Sequence, residues 1–175
     1  MLEFLDLGNN HIIDIFPYWL GTLPRLMILI LHFNGFYGAI NVSKLDSLFP
    51  NLRIVDLSHN GFVGLLLAKY FNVWSTMVDV DKENTKYWHA YDNFSVSHYI
   101  FNYSYPYSMT ITNKGVKMEY PNVLEIFSAI DLSCNKFEGE IPNVVGSLKG
   151  LQQLLNLSNN ILVGPIPPTL DVGNK

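Results

Sequence analysis

Apolar residues along this chain recur with two spacings at once. Within a short stretch they alternate with period two, and whole stretches return about every two dozen residues. Leu2, Leu5, Leu7, Asn10 and Ile12 open the series, and Leu26, Leu29, Leu31, Asn34 and Phe36 repeat it. Leu52, Val55, Leu57, Asn60 and Phe62 follow, then Phe127, Ile130, Leu132, Asn135 and Phe137, and finally Leu155, Leu157, Asn160 and Leu162. The five asparagines are spaced by 24, 26, 75 and 25 residues. Alternation of the Leu5-x-Leu7 kind predicts a short strand with one buried face. A fixed period of this length predicts an array in which each unit covers the apolar side of the next. The asparagine after each strand turns the chain inward. Its amide both donates and accepts, so it can pair with backbone groups of the turn that would otherwise be buried without partners. The fifth unit has Gln152 where its first leucine belongs, and the one-residue surplus at Gln152-Gln153-Leu154 predicts a bulge or shift there.

The frame L-x-x-L-x-L-x-x-N-x-L is that of a leucine-rich-repeat solenoid, an α/β, β-rich fold whose strands pair in parallel into one concave sheet. Units four and five continue as Gly139-Glu140-Ile141-Pro142 and Gly164-Pro165-Ile166-Pro167. The glycine permits a tight bend, the isoleucine is expected to point inward, and the proline ends any regular ladder. This G-x-I-P signature resembles the plant extracellular type of repeat. Units two and three depart from it, with Asn41 and Leu67 in place of the proline.

The interval between Asn60 and Asn135 equals three units, yet residues from about 75 to 122 carry no leucine frame. The expected organisation is repeats one to three over 1–74, a non-repeat insertion over 75–122, and repeats four and five over 123–175. Six of the ten tyrosines lie between Tyr87 and Tyr107, so the insertion differs in composition from its flanks. Met109 and Ile111 alternate with Ser108, Thr110 and Thr112, Asn113-Lys114-Gly115 supplies turn chemistry, and Val116, Met118 and Tyr120 alternate with Lys117 and Glu119. That pattern predicts a β-hairpin. The polar stretch Asp79 to Asn93 is expected to be an irregular loop.

Composition narrows the functions open to such a chain. Of 175 residues, 49% are hydrophobic, 14% aromatic and only 15% charged, which is incompatible with a disordered chain. The net charge of −4 removes the basic surface that unspecific nucleic-acid binding needs. The longest apolar runs are six residues, Leu26–Leu31 and Val63–Ala68, so no membrane span is expected. Met1 to Asp6 lacks the parts of a secretory signal. One cysteine, Cys134, excludes an internal disulfide and any multi-cysteine zinc site. No G-x-S-x-G, H-E-x-x-H or Walker loop occurs, and His11, His32, His59, His89 and His98 show no ligand spacing. No catalytic, metal-binding or cofactor-binding residue is assigned.

Repeats, then a loop-out, then closing repeats, with Tyr70-Phe71, Trp74 and Met77 after the third unit, resemble the C-terminal ectodomain of plant leucine-rich-repeat receptor-like proteins, the group that includes Cf-type disease-resistance receptors. In that family the non-repeat segment is the island domain and often carries a tyrosine, eight residues, then Lys-Gly. Here Tyr105 is followed by Pro106 to Asn113 and then Lys114-Gly115. The resemblance covers essentially the whole chain. It implies a membrane-anchored surface receptor without a kinase, a glycoprotein that binds an extracellular peptide or microbial protein and signals with receptor-kinase coreceptors in defence or development. It also implies that island and neighbouring coils form the ligand or coreceptor surface. The family's leader, N-terminal cap, last repeats, cysteine cap, juxtamembrane segment and membrane span have no counterpart here, so a truncated remnant is one alternative. A secreted inhibitor of microbial wall-degrading enzymes, built from the same repeat, is another, although those resemble uninterrupted arrays.

Candidate contacts follow from the strand geometry. The residues between the leucines form a concave stripe of Asp6, Ile30, Asp56, Asp131 and Asn156, flanked by Phe4, Ile28, Ile54, Ala129, His32 and His59. The three aspartates of this stripe, Asp6, Asp56 and Asp131, could meet a basic ligand, or else they are solvated sheet residues, and Asp56, Asp131 and His59 are the candidate ligand contacts on the repeats. Tyr105, Lys114 and Gly115 are candidate partner contacts, or else a lock for the hairpin. The tyrosine cluster suits recognition or internal packing alike. Glycosylation triplets stand at Asn41, Asn93, Asn102 and Asn156, with Asn93 and Asn102 on the insertion best placed. The asparagine ladder itself is testable: Asn135→Leu is expected to cost about 1–3 kcal/mol in a denaturant titration, the penalty for orphaned buried polar groups.

Overall fold

The computed structural model describes residues 2–40, 49–66, 68–73, 89–96, 99–106, 109–113, 116–121, 127–148, 151 and 154–171. The chain divides into two compact units, one formed by Met1–Val80 with Ser128–Lys175 and the other by Asp81–Phe127. The second unit begins and ends a few residues later than the 75–122 expected for the insertion.

In chain order the strands of the first unit are β1 (Phe4–Asp6), β2 (Ile28–Ile30), β3 (Tyr37–Ala39), β4 (Ile54–Asp56) and β5 (Gly61–Leu65). The second unit holds β6 (His89–Val96), β7 (Tyr99–Pro106), β8 (Met109–Asn113) and β9 (Val116–Tyr120). The first unit resumes with β10 (Ala129–Asp131), β11 (Lys136–Glu140), β12 (Leu154–Asn156) and β13 (Ile161–Val163). A short helix, α1 (Ala68–Val73), contains Tyr70 and Phe71. No helix among the described residues is long and apolar enough to cross a membrane.

The first apolar residue of each Leu-x-Leu pair, Leu5, Leu29, Val55, Ile130 or Leu155, is the centre of a three-residue strand, and the five strands form a parallel sheet in the order β1-β2-β4-β10-β12. The register is unbroken: Ile28, Ile54, Ala129 and Leu154 are successive partners. β4 and β10 are therefore direct neighbours although an excursion separates them in sequence. Asn135 bridges the same junction, donating to the Leu57 carbonyl at 2.9 Å and accepting from the Phe62 N–H at 3.1 Å.

A second parallel sheet, in the order β13-β11-β5-β3, was not anticipated from the leucine frame. It forms because the residue after each ladder asparagine continues in extended conformation up to a glycine of positive φ, Gly64 at 91° and Gly139 at 81°. The positive φ is what requires glycine at 139, since a Cβ there would lie 2.7 Å from Leu65 Cδ2, the end of an exposed side chain that can move aside. Two residues beyond Gly38 and Gly64, Ile40 and Leu66 are buried, and Ile141, two beyond Gly139, packs half-buried against the core, whereas Ile166 of the last coil is exposed, against the expectation that it points inward. Among the described residues the strands of the last coil, β12 and β13, have a paired neighbour on one side only. Pro142 immediately precedes a 3₁₀ turn, Asn143–Ser147, at φ −65°.

Between the two sheets lies a continuous apolar core of Leu29, Leu31, Val55, Leu57, Ile130 and Leu132. Phe36, Phe62 and Phe137 stack along it with ring centroids 6.2 and 6.4 Å apart. Leu5, Leu7, Leu155 and Leu157 at the two ends are only partly buried, as a one-dimensional stack dictates.

In the second unit β6 pairs antiparallel with β7, from His89↔Pro106 to Val96↔Tyr99, and β8 pairs with β9, from Met109↔Tyr120 to Asn113↔Val116. The irregular loop expected up to Asn93 is corrected at its end, because His89 to Asn93 are strand. Cross-strand pairing with the aromatic segment Tyr99–Pro106 outweighs the polarity of these residues. Residues 79–88 of that stretch, and the Gln152-Gln153 irregularity, lie outside the described residues.

Removing a ring from the stack opens a cavity between coils. Phe62→Ala is expected to lower unfolding stability by about 3–5 kcal/mol in urea, and Leu5→Ala at the half-buried end by less. Equal losses would contradict the burial gradient.

Candidate functional site

The middle row of the concave sheet repeats a local motif. Asp56 Oδ1 accepts from the Ser58 N–H at 3.0 Å and the Ser58 hydroxyl at 2.6 Å. Asp131 does the same with Ser133 at 2.9 and 2.6 Å, and Asn156 with Ser158 at 3.2 and 2.8 Å. These side chains close the turn that leaves each strand. The recurring Asp-Leu-Ser and Asn-Leu-Ser triplets at 56, 131 and 156 are the sequence signal for it, and the leucine frame hid them. Asp6, at the exposed first strand, caps the Gly8 N–H alone at 2.8 Å.

Register sets Asp56 and Asp131 side by side on neighbouring strands. Both are buried, at 3% and 1% exposure. This corrects both sequence-based readings of these two residues, as solvated sheet residues and as contacts for a basic ligand. Their remaining oxygens are also taken: Asp56 Oδ2 faces His32 Nδ1 at 2.8 Å, and Asp131 Oδ2 accepts from the Asn156 amide at 3.0 Å. Adjacent carboxylates repel, so each has its own partner.

His32 is the keystone of this row. Its Nε2 lies 3.0 Å from Asn9 Nδ2, so the neutral ring accepts there and donates from Nδ1 to Asp56. Gly8 stands where the third to fifth coils have serine and the second has His32 itself, and a Cβ on it would come within 2.5 Å of His32 Nε2. The hydrogen bond to Asp56 raises the His32 pKa above its ordinary value, against the opposing effect of burial. Burial raises the Asp131 carboxyl, opposed by its bonds to Ser133 and Asn156 and reinforced by the neighbouring Asp56 charge.

Along one edge of the sheet, the residue before each ladder asparagine has left-handed backbone: Asn9, Phe33, His59, Cys134 and Asn159, with φ of 53 to 56° except Phe33 at 49°. The coil geometry sets this conformation, and the side chains vary. Phe33 and His59 stack face to face, with centroids 3.8 Å apart and planes inclined by 11°. They line a cavity of about 570 Å³ together with Asn9, His11, Ile13 and Gly35. Phe33 is 42% exposed and Ile13 78%, so an apolar shelf with an amide and imidazole rim faces solvent. That combination suits a small apolar group flanked by polar atoms. Phe33 was missed in the sequence because the position before the asparagine shows no residue preference.

Of the other sequence candidates, the ladder asparagines make the bonds their amides allow. Asn34, Asn60, Asn135 and Asn160 each donate to the preceding coil and accept from an N–H two residues past that coil's own asparagine, and Asn10 donates to Leu7 and Gly8 carbonyls. Tyr105 stands opposite Ala90 in the β6–β7 pair. Lys114, Gly115 and Asn41 lie outside the described residues. Asn156 is corrected as a glycosylation site: it is 9% exposed, and its amide nitrogen is committed to Asp131. Among the described residues no three His, Cys, Asp or Glu side chains gather as metal ligands.

Both the coil geometry and sequence comparison define a leucine-rich-repeat protein. The family described as Leucine Rich Repeat matches residues 1–23, 128–148 and 153–172. Receptor-like protein 34 of Arabidopsis thaliana is 44% identical over 156 residues, which is 89% of this chain and 15% of that protein. Receptor-like protein 35 of the same plant is 42% identical over 154 residues, again 15% of its length. The chain belongs to the plant leucine-rich-repeat receptor-like protein family, and it spans about one-seventh of these relatives. The Arabidopsis receptor kinase HAESA, solved with the peptide hormone IDA and the co-receptor SERK1, shares the fold at TM-score 0.61 and 21% identity, over 97% of this chain and 20% of that one.

Two linked outcomes test the His32 row. A group whose folded pKa is raised contributes stability fully below its unfolded value and loses it as pH rises through the folded value. His32 has this sign, so unfolding stability is expected to fall as pH is raised from about 6 to above the raised His32 value, in urea titrations, and the raised Asp131 acts with the same sign in its own, more acid window that starts at its ordinary value of 3.8. His32→Gln should flatten that part of the profile, and an unchanged slope would contradict the assignment. Gly8→Ser should displace the ring and have the same flattening effect.

Proposed function

We propose that this chain is part of the ligand-recognising ectodomain of a plant cell-surface receptor-like protein without a kinase. In this reading it binds an extracellular peptide or microbial protein and pairs with receptor-kinase coreceptors in defence or developmental signalling. The observation that carries the proposal is the 44% identity to Receptor-like protein 34 across 89% of the chain, insertion included. The likeness of fold to a receptor solved with a peptide hormone and a co-receptor supports it.

The compact unit Asp81–Phe127 serves as the island, with Tyr105, Lys114 and Gly115 in its partner contact. On the repeats, ligand contact falls to the Phe33–His59 shelf, and the buried Asp56 and Asp131 hold the sheet rather than meet a ligand. The localisation that follows is the outer face of the plasma membrane.

A full-length receptor carrying this chain, tagged and expressed in leaf cells, should reach the plasma membrane and co-purify with a receptor kinase. Retention in the cytosol would contradict the proposal. Tyr105→Ala and Lys114→Ala should each weaken the kinase association, and unchanged association would remove both residues from the partner surface.

A further inference from the structure

Two glycosylation triplets fall on one β-ribbon. β6 and β7 pair so that Asn93 stands directly opposite Asn102. Opposed residues of an antiparallel ladder share a face, as do residues two apart along a strand. Both asparagines, and the serines Ser95 and Ser104 that complete their triplets, therefore belong to one face. The other face carries Phe94, Tyr99, Phe101, Tyr103 and Tyr105 at its register positions, and the triplet face carries a single aromatic residue, Tyr91. Aromatic residues gathered on one face of a ribbon form a surface for burial, whereas an N-linked glycan is bulky and needs solvent.

We propose that Asn93 and Asn102 form a paired N-glycan site, with both glycans rising from one face of the ribbon and the aromatic face intolerant of one. The proposal rests on the cell-surface reading, because such triplets are modified only in the secretory pathway. The Cα atoms of an opposed pair are about 4.5–5.5 Å apart, so the two glycans leave the ribbon from nearly one point. Asn156 supplies the contrast within the same chain, since its amide is buried and bonded to Asp131.

The test uses the full chain with a secretory leader supplied, expressed in plant cells, so that its natural location does not bear on the result. Glycopeptide mass spectrometry should find carbohydrate at Asn93 and at Asn102 and none at Asn156. Bare Asn93 and Asn102 in secretory-pathway material would overturn the proposal while leaving the cell-surface reading to its own localisation test. Face assignment is tested by moving the acceptor. Ile100→Asn with Asn102→Thr moves it two residues along the same face, and secretion should stay within about twofold of the parent, as for a neutral surface change. Phe101→Asn with Asn102→Gln and Tyr103→Ser moves it one residue, onto the aromatic face. Secretion of that variant should fall several-fold below its acceptor-free control, Phe101→Gln with Asn102→Gln and Tyr103→Ser, as for a loss of folded protein. Equal secretion of those two variants would overturn the face assignment.

Discussion

One side-chain amide, repeated once per coil, holds this solenoid together. Each ladder asparagine from Asn34 onward donates to carbonyls of its own coil and of the coil before it, and accepts an N–H from that earlier coil. The turn that it fills is crowded with backbone groups that strand pairing cannot satisfy. Removing the amide would leave donors and acceptors on two coils unpaired at once, which is why burial of the leucines alone does not define the stack. The aromatic spine Phe36–Phe62–Phe137 supplies the apolar counterpart, one ring per coil at the same height.

Such a stack is tolerant of what happens between coils. The third and fourth coils pair strand to strand, amide to backbone and ring to ring although 75 residues separate their asparagines. An insertion costs the solenoid only the entropy of closing a longer loop, which grows slowly with length. A segment of different composition can thus be carried without disturbing the repeats.

The repeats were legible because their signal is periodic: leucine, asparagine and phenylalanine recur at positions that the coil fixes. The second sheet was not, since the residues that form it, such as Tyr37, Val63 and Glu138, share no type and owe their extended conformation to the coil rather than to themselves. The buried polar row was misjudged for a related reason. Asp56 and Asp131 look like solvated residues when only strand alternation is considered, and only the neighbouring coils reveal Ser58, His32, Ser133 and Asn156 as their partners. Phe33 and His59 meet across coils at a position with no sequence preference, so their stacking was invisible in one dimension.

Amide hydrogen exchange at the junction between the third and fourth coils tests the continuity of the stack most directly. The Phe62 N–H is held by Asn135 Oδ1, and the Leu57 and His59 N–H groups by the Asp131 and Ser133 carbonyls. The account predicts that these three exchange as slowly as the Phe36 and Leu31 N–H groups, which are held by Asn60 and Asp56 within the uninterrupted coils. Rapid exchange at Leu57, His59 and Phe62 beside slow exchange at Leu31 and Phe36 would show two separate blocks of repeats and contradict a single solenoid.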